Sequence, residues 1–300
     1  MRLLNHFCPK TRMEPARWRL SILLLIVALV GGCSAIRLAY NNAEFFVYQS
    51  LDGFLDFDEQ QEQLAKGRIA SLLAWHRKEE LPDYAQWLSK LRAQIDAPMS
   101  AAQVRQLAED LNARSDRVIA RAMPELADLA LTLTPENLKR LQTRYEKTLA
   151  ETRKEYVDAP RAKQLERRFE QLLGSAERLY GSFSDEQRAQ LRAASDARPL
   201  DHRNWMAERA RRQQDILSTL AQIAAEKPAR DVAISKLRAV AQRFSPSPDA
   251  ERRAYFERVN QATYEALALA TRIATPQQRA AARATLDGWA SDLTALALAK

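Results

Sequence analysis

Apolar residues recur three and four positions apart along most of this chain, and no stretch alternates in the manner of a strand. One segment gives Leu165, Phe169, Leu172, Ala176 and Leu179. Another gives Tyr255, Val259, Thr263, Ala266, Ala270 and Ile273, and the last gives Leu286, Trp289, Leu293 and Leu296. Each is a single greasy stripe on a helix whose other faces carry Arg, Lys, Glu and Gln. Such helices must bury their stripes against one another. The fold expected is all-α, an antiparallel helical bundle or array of about ten helices. Glycine, the residue most at odds with helix interiors, supports this, since only five of seven lie beyond residue 32.

Prolines and capping residues set expected helices at 37–53, 58–79, 82–96, 100–130, 134–157, 160–181, 184–196, 201–226, 229–243, 248–273 and 276–298. Pro124 is expected to kink or split the fourth, because it has no amide hydrogen and crowds the preceding turn. Phe244-Ser245-Pro246-Ser247-Pro248 is the clearest linker. Residues 33–300 read as one helical body, with two loosely coupled halves meeting near residues 158–200 as the alternative.

The N-terminus carries an address. Arg2, Lys10, Arg12, Arg17 and Arg19 precede an uncharged run from Leu20 to Val30, the layout of a secretory signal. That run is too short to stay in a bilayer, whose core needs roughly 20 helical residues. It ends Val30-Gly31-Gly32-Cys33, which resembles the lipobox of bacterial lipoproteins. The resemblance implies that residues 1–32 are removed and that Cys33 takes diacylglycerol and a further acyl chain such as palmitate, several chains being needed for firm anchoring. By the sorting convention of enterobacterial lipoproteins, Ser34 in place of Asp after the cysteine implies the periplasmic face of the outer membrane rather than the inner membrane. Cys8 leaves with the leader, whether translation starts at Met1 or Met13, so neither a disulfide nor thiol chemistry is expected in the mature chain.

The leader also holds five basic residues and one acid, so the net charge falls from +8 to +4 without it. What remains is mixed. Arg161, Lys163, Arg167 and Arg168 sit beside Glu166 and Glu170; Arg209, Arg211 and Arg212 are flanked by Glu208 and Asp215. Mixing of this kind reads as solvated helix faces, and nucleic-acid binding is not expected.

A start signal recurs. Ser100-Ala101-Ala102-Gln103, Ser184-Asp185-Glu186-Gln187, Thr275-Pro276-Gln277-Gln278, Thr134-Pro135-Glu136-Asn137 and Asp58-Glu59-Gln60-Gln61 each place a cap three residues before an amide. The cap accepts a bond from an orphan amide hydrogen, and the amide side chain reaches back. The pattern resembles the Leu-Thr-x-x-Gln motif of the periplasmic stress proteins Spy and CpxP, and implies ATP-independent chaperone activity. It departs from that motif before the caps, where Met99, Phe183, Ala274 and Phe57 replace Leu, at Asn137, where Gln is usual, and in the chain's length. Three further stretches, Arg37-Leu38-Ala39-Tyr40-Asn41-Asn42, Leu55-Asp56-Phe57-Asp58-Glu59-Gln60-Gln61 and Trp75-His76-Arg77-Lys78-Glu79-Glu80-Leu81-Pro82-Asp83-Tyr84, resemble uncharacterised gammaproteobacterial lipoproteins grouped by a domain of unknown function. That likeness implies no activity.

Chemistry-bearing constellations are sparse. Two histidines follow the leader, His76 and His202, and a zinc site needs three or four ligands. Both read as structural, His76 at a helix end and His202 in a polar helix start beside Asp201. There is no Gly-x-Ser-x-Gly, phosphate loop or dinucleotide fingerprint. Paired acids such as Glu79 with Glu80 and Asp56 with Asp58 read as solvated, and Trp75, Trp87, Trp205 and Trp289 as core anchors. The aromatic run Tyr40–Tyr48 is expected to fill the bundle, with a membrane-proximal docking helix as the alternative. No catalytic, cofactor or metal residue is expected, and Cys33 is the only site residue. Partners expected are the membrane, through the lipid, and an unfolded or envelope protein. The reading is a non-enzymatic envelope lipoprotein; the alternatives are a lipopolysaccharide- or peptidoglycan-binding module, or a hydrolase using His76 or Glu79.

Overall fold

The computed structural model describes residues 35–199, 201–244 and 249–299. The leader, Cys33, Ser34 and the Ser245-Pro246-Ser247-Pro248 linker lie outside them. The chain divides into two units, 1–41 and 42–300. The described part of the first is one short helix, α1 (Ala35–Asn41). The second holds α2 (Ala43–Leu55), α3 (Glu59–Trp75), α4 (Leu81–Gln94), α5 (Ala101–Ala130), α6 (Pro135–Thr152), α7 (Arg161–Tyr180), α8 (Asp185–Ala197), α9 (His202–Glu226), α10 (Arg230–Gln242), α11 (Ala250–Ile273) and α12 (Pro276–Leu298). Every regular element among the described residues is helical, as the periodicity requires, and none is long and apolar enough to cross a membrane.

All five recurrent starts are capping boxes, with cap and third-position side chains bonded reciprocally. Four of them do more, because their helix starts meet in pairs. Gln61 Nε2 donates to Asn137 Oδ1 at 2.9 Å and to Thr132 O at 2.9 Å, while Asn137 Nδ2 donates to Asp56 O at 3.0 Å. Gln187 Nε2 donates to Gln278 Oε1 at 2.9 Å and to Ile273 O at 2.7 Å, while Gln278 Nε2 donates to Ser182 O at 2.8 Å. In each case the amide reaches the carbonyl two residues before the partner's cap. Asn137 fills this role as the glutamines do, and adds a bond to Leu55 O at 2.8 Å. Ser100 and Gln103 stand outside such a pair and are exposed.

Two expected breaks are not there. The helix over Glu59–Trp75 runs on through a π-turn, His76–Glu80, into α4, and a second π-turn, Arg153–Val157, extends α6. Pro82 stands two residues past the π-turn, a local widening that leaves room for its ring where a regular helix would be crowded. Pro124 lies inside α5 without splitting it. Met123 and Ala127, on either side, are buried against α10, and this packing holds the turn that the proline leaves one bond short.

Three clusters of buried side chains form the interior. The largest joins Leu88, Leu91 and Ile95 to Phe169, Leu173, Tyr180, Leu191 and Leu286, with Trp87 and Trp289 packed on its edge. A second gathers Met123, Ala127, Ala130, Ile223, Ala233 and Ile234, and a third Tyr48, Ala65, Ile69 and Leu129. Helix α5 contributes to all three, through Val104 to the first. Two expectations about aromatics are corrected. Trp205 is 37 % exposed rather than a core anchor. Of the run at the start of α2, Tyr48 is buried but Phe45 and Phe46 are 59 % and 57 % exposed, since burial along this helix begins only at Tyr48.

Candidate functional site: an apolar chamber with an arginine vestibule

Where α2, α5, α6, α9 and α10 converge, their stripes face a hollow instead of each other. Leu51, Phe54 and Leu55 enter from α2; Met123, Leu126, Leu129 and Ala130 from α5; Leu141 and Tyr145 from α6. Ile216 and Leu220 enter from α9, and Leu237, Val240 and Ala241 from α10, with Phe244 just beyond it. Each set is spaced by three or four, so ordinary helical periodicity aims it inward. The chamber measures about 400 Å³, within the range of about 300–1,000 Å³ typical of small-molecule sites. Its walls are almost entirely hydrocarbon, Ser50 and the Tyr145 phenol being the polar side chains among them. Such a space offers water few partners and suits an apolar occupant.

A second recess, also about 400 Å³, shares Phe54, Tyr145, Ile216 and Phe244 with the chamber and adds Trp205, Glu208, Arg209, Arg212, Gln213 and Phe256. The four shared side chains set it directly beside the chamber, as a vestibule whose chemistry is quite different. Arg212 stands over the Phe244 ring at 5.6 Å, and Arg209 over Trp205 at 5.7 Å. Burial raises the Tyr145 phenol above its ordinary pKa, against the opposing charge of Arg209. Arg209 Nε and Gln213 Oε1 are buried without a hydrogen-bond partner.

The charged residues of α9 are not the solvated face that their mixing implies. Glu208 is 3 % exposed. It accepts from Arg211 Nη2 at 2.6 Å, Arg212 Nε at 2.9 Å and Arg252 Nη1 at 3.3 Å. Burial alone would raise its carboxyl, but these guanidinium bonds, with the charge of Arg211, hold it down to about 2. Arg243, just past α10, grips Asp215 with bonds of 2.9 and 2.6 Å. Together these pairs tie α9 to α11 and to the end of α10 beside the vestibule.

Arg168, also read as solvated, is 2 % exposed and donates to Ser195 O at 3.0 Å and Arg198 O at 2.9 Å. Burial, then the charges of Arg198 and Arg161, lower its pKa to about 10. Glu80 is likewise buried, in a two-bond pair with Arg117 at 3.1 and 2.9 Å, whereas Glu79 is exposed. Asp58 is a cap.

His76 is half-buried in the π-turn, edge-on to Tyr84 at 5.5 Å; burial lowers its pKa against the pull of Glu80. His202 opens α9, edge-on to Tyr156 at 5.5 Å, and is lowered by burial and by Arg168 and Arg161. The two belong to separate neighbourhoods, and among the described residues no three His, Cys, Asp or Glu side chains are grouped to hold a metal ion. Cys33 lies outside the described residues. The chamber itself was not legible in the sequence, because a stripe that lines a hollow reads like one that fills a core.

The family described as "Family of unknown function (DUF6279)" matches residues 53–239, a stretch that carries most of the chamber's walls. No curated protein and no solved structure matches the chain.

Proposed function

We propose that this chain, which belongs to the DUF6279 family of unknown function, is a non-enzymatic envelope lipoprotein that holds an apolar ligand in the chamber between α2, α5, α6, α9 and α10. Anchoring through acylated Cys33, at the periplasmic face of the outer membrane, would keep the body beside a source of acyl chains. The observation that carries the reading is the wall itself, aliphatic and aromatic side chains from five helices around about 400 Å³. A surface of this kind binds by removing hydrocarbon from water, worth about 25 cal/mol per Å² buried.

The test is photolabelling of the full-length chain in phosphatidylcholine nanodiscs with the uncharged methyl ester of a diazirine-bearing myristate. Label is expected on chamber residues of α5, α9 and α10, and Leu220→Trp, which fills the space, is expected to remove most of it. Labelling spread evenly over the surface, or insensitive to Leu220→Trp in a folded variant, would end the proposal.

A second reading rests on the same feature. The chamber with its arginines is a concave, basic, partly apolar face, the surface a Spy-like holdase would offer an unfolded client. In that case Leu220→Trp would also lose suppression of client aggregation in a light-scattering assay. An unchanged light-scattering trace would set the holdase aside.

A further inference from the structure

We propose that the ligand is an acyl amphiphile with an anionic head, its chain in the chamber and its carboxylate or phosphate on Arg209 in the vestibule. This rests on the chamber reading above and adds the polar half of the site. Three observations converge on it.

The vestibule and the chamber adjoin across Phe54, Tyr145, Ile216 and Phe244, which puts an apolar and a polar recess within the length of one amphiphile. The cation there is also uncommitted. The carboxylates nearby are already engaged: Glu208 holds Arg211, Arg212 and Arg252, and Asp215 holds Arg243 and Arg211. Arg209 has no carboxylate partner among the described residues, and its Nε is buried without an acceptor. A buried guanidinium donor left unmet is costly, and an incoming oxyanion would satisfy it with a short, charge-assisted bond. Finally, Gln213 lies one helical turn after Arg209, on the same face, with its side-chain oxygen also buried and unpaired. Oxygen and nitrogen of such an amide can exchange places, so Gln213 can offer a second donor to the head. The Arg209 guanidinium stacks over the Trp205 ring, and Arg144, over the Phe54 ring at 5.7 Å, adds positive charge beside a wall that both recesses share.

Free fatty acid and anionic lysophospholipid share this chemistry, and the experiment separates them. The full-length chain in phosphatidylcholine nanodiscs is labelled with diazirine myristate, with its methyl ester, and with lysophosphatidylglycerol carrying the same chain. Half-saturation of chamber labelling is expected at a roughly tenfold lower concentration, or less, for an anionic probe than for the ester. The anionic probe that shows this, or both, names the source. Arg209→Gln is expected to erase the anionic advantage and leave labelling by the ester unchanged. The proposal is overturned if acid, lysophospholipid and ester label alike in the wild-type protein, a result that needs no variant and leaves the chamber reading standing. It is also overturned if Arg209→Gln weakens ester and acid equally. Failure of all three probes to reach the chamber would remove both readings.

Discussion

Exchanging Glu208 for alanine is expected to lower the free energy of unfolding by about 3–5 kcal/mol, the usual cost of removing one partner from a buried ion pair. Three guanidiniums converge on this carboxylate, and its loss leaves all three facing a cavity with no counter-charge. Their side chains are 23–41 % exposed, so water softens the loss toward the lower figure. In a chain of this size the unfolding midpoint should fall by roughly 6–12 °C. Glu208→Gln, which keeps an acceptor but not the charge, should fall between.

The same group gives a pH signature. Its carboxyl sits at about 2 in the folded protein against an ordinary 4.5, so its stabilisation is complete above the ordinary value and is lost as acid takes the pH down through the folded one. Wild type should therefore lose more stability than Glu208→Gln between neutral pH and about pH 2. Thermal melts of the two proteins across that range are the measurement. An unchanged midpoint in Glu208→Ala, or parallel acid profiles, would mean that the node contributes nothing.

Asn137→Ala is the second large effect, about 3 kcal/mol. Asn137 is 4 % exposed, and its amide serves the Thr134 cap, Gln61 Nε2, and the carbonyls of Leu55 and Asp56. Losing it strands the buried Gln61 amide and the part-buried groups around it, at about 1–3 kcal/mol for each that cannot find water. Gln103→Ala removes the same box at an exposed helix start and should cost under about 1 kcal/mol. A double-mutant cycle between Gln61 and Asn137 should give a coupling of roughly 0.5–3 kcal/mol. Equal losses for Asn137→Ala and Gln103→Ala, with no coupling, would show that the pairing adds nothing beyond ordinary capping.

Local features of this protein were legible in its residues and long-range ones were not. The stripe through Phe169, Leu172 and Ala176 faces the interior as its spacing implies. The caps at Asp58, Ser100, Thr134, Ser184 and Thr275 bond as their sequence implies, because a cap acts within four residues. Which caps meet depends on docking between residues 76 or 91 apart, and nothing in one sequence encodes that in plain view. Burial of Glu208 and Arg168 was hidden for the same reason. An acid among arginines reads as solvated until α10 and α11 close over it. The solvent face of Phe45 and Phe46 is the reverse case, greasy side chains at a helix start that no neighbour among the described residues covers.

Helix α5, about 45 Å long at 1.5 Å per residue, is shared by all three buried clusters. A rod clamped at three points gives heat no separate part to melt first. Loosening any one core must bend or unwind the member that the other two grip. Scanning calorimetry should accordingly record one endotherm whose van't Hoff and calorimetric enthalpies agree, whereas two resolved peaks would show the clamp to be slack.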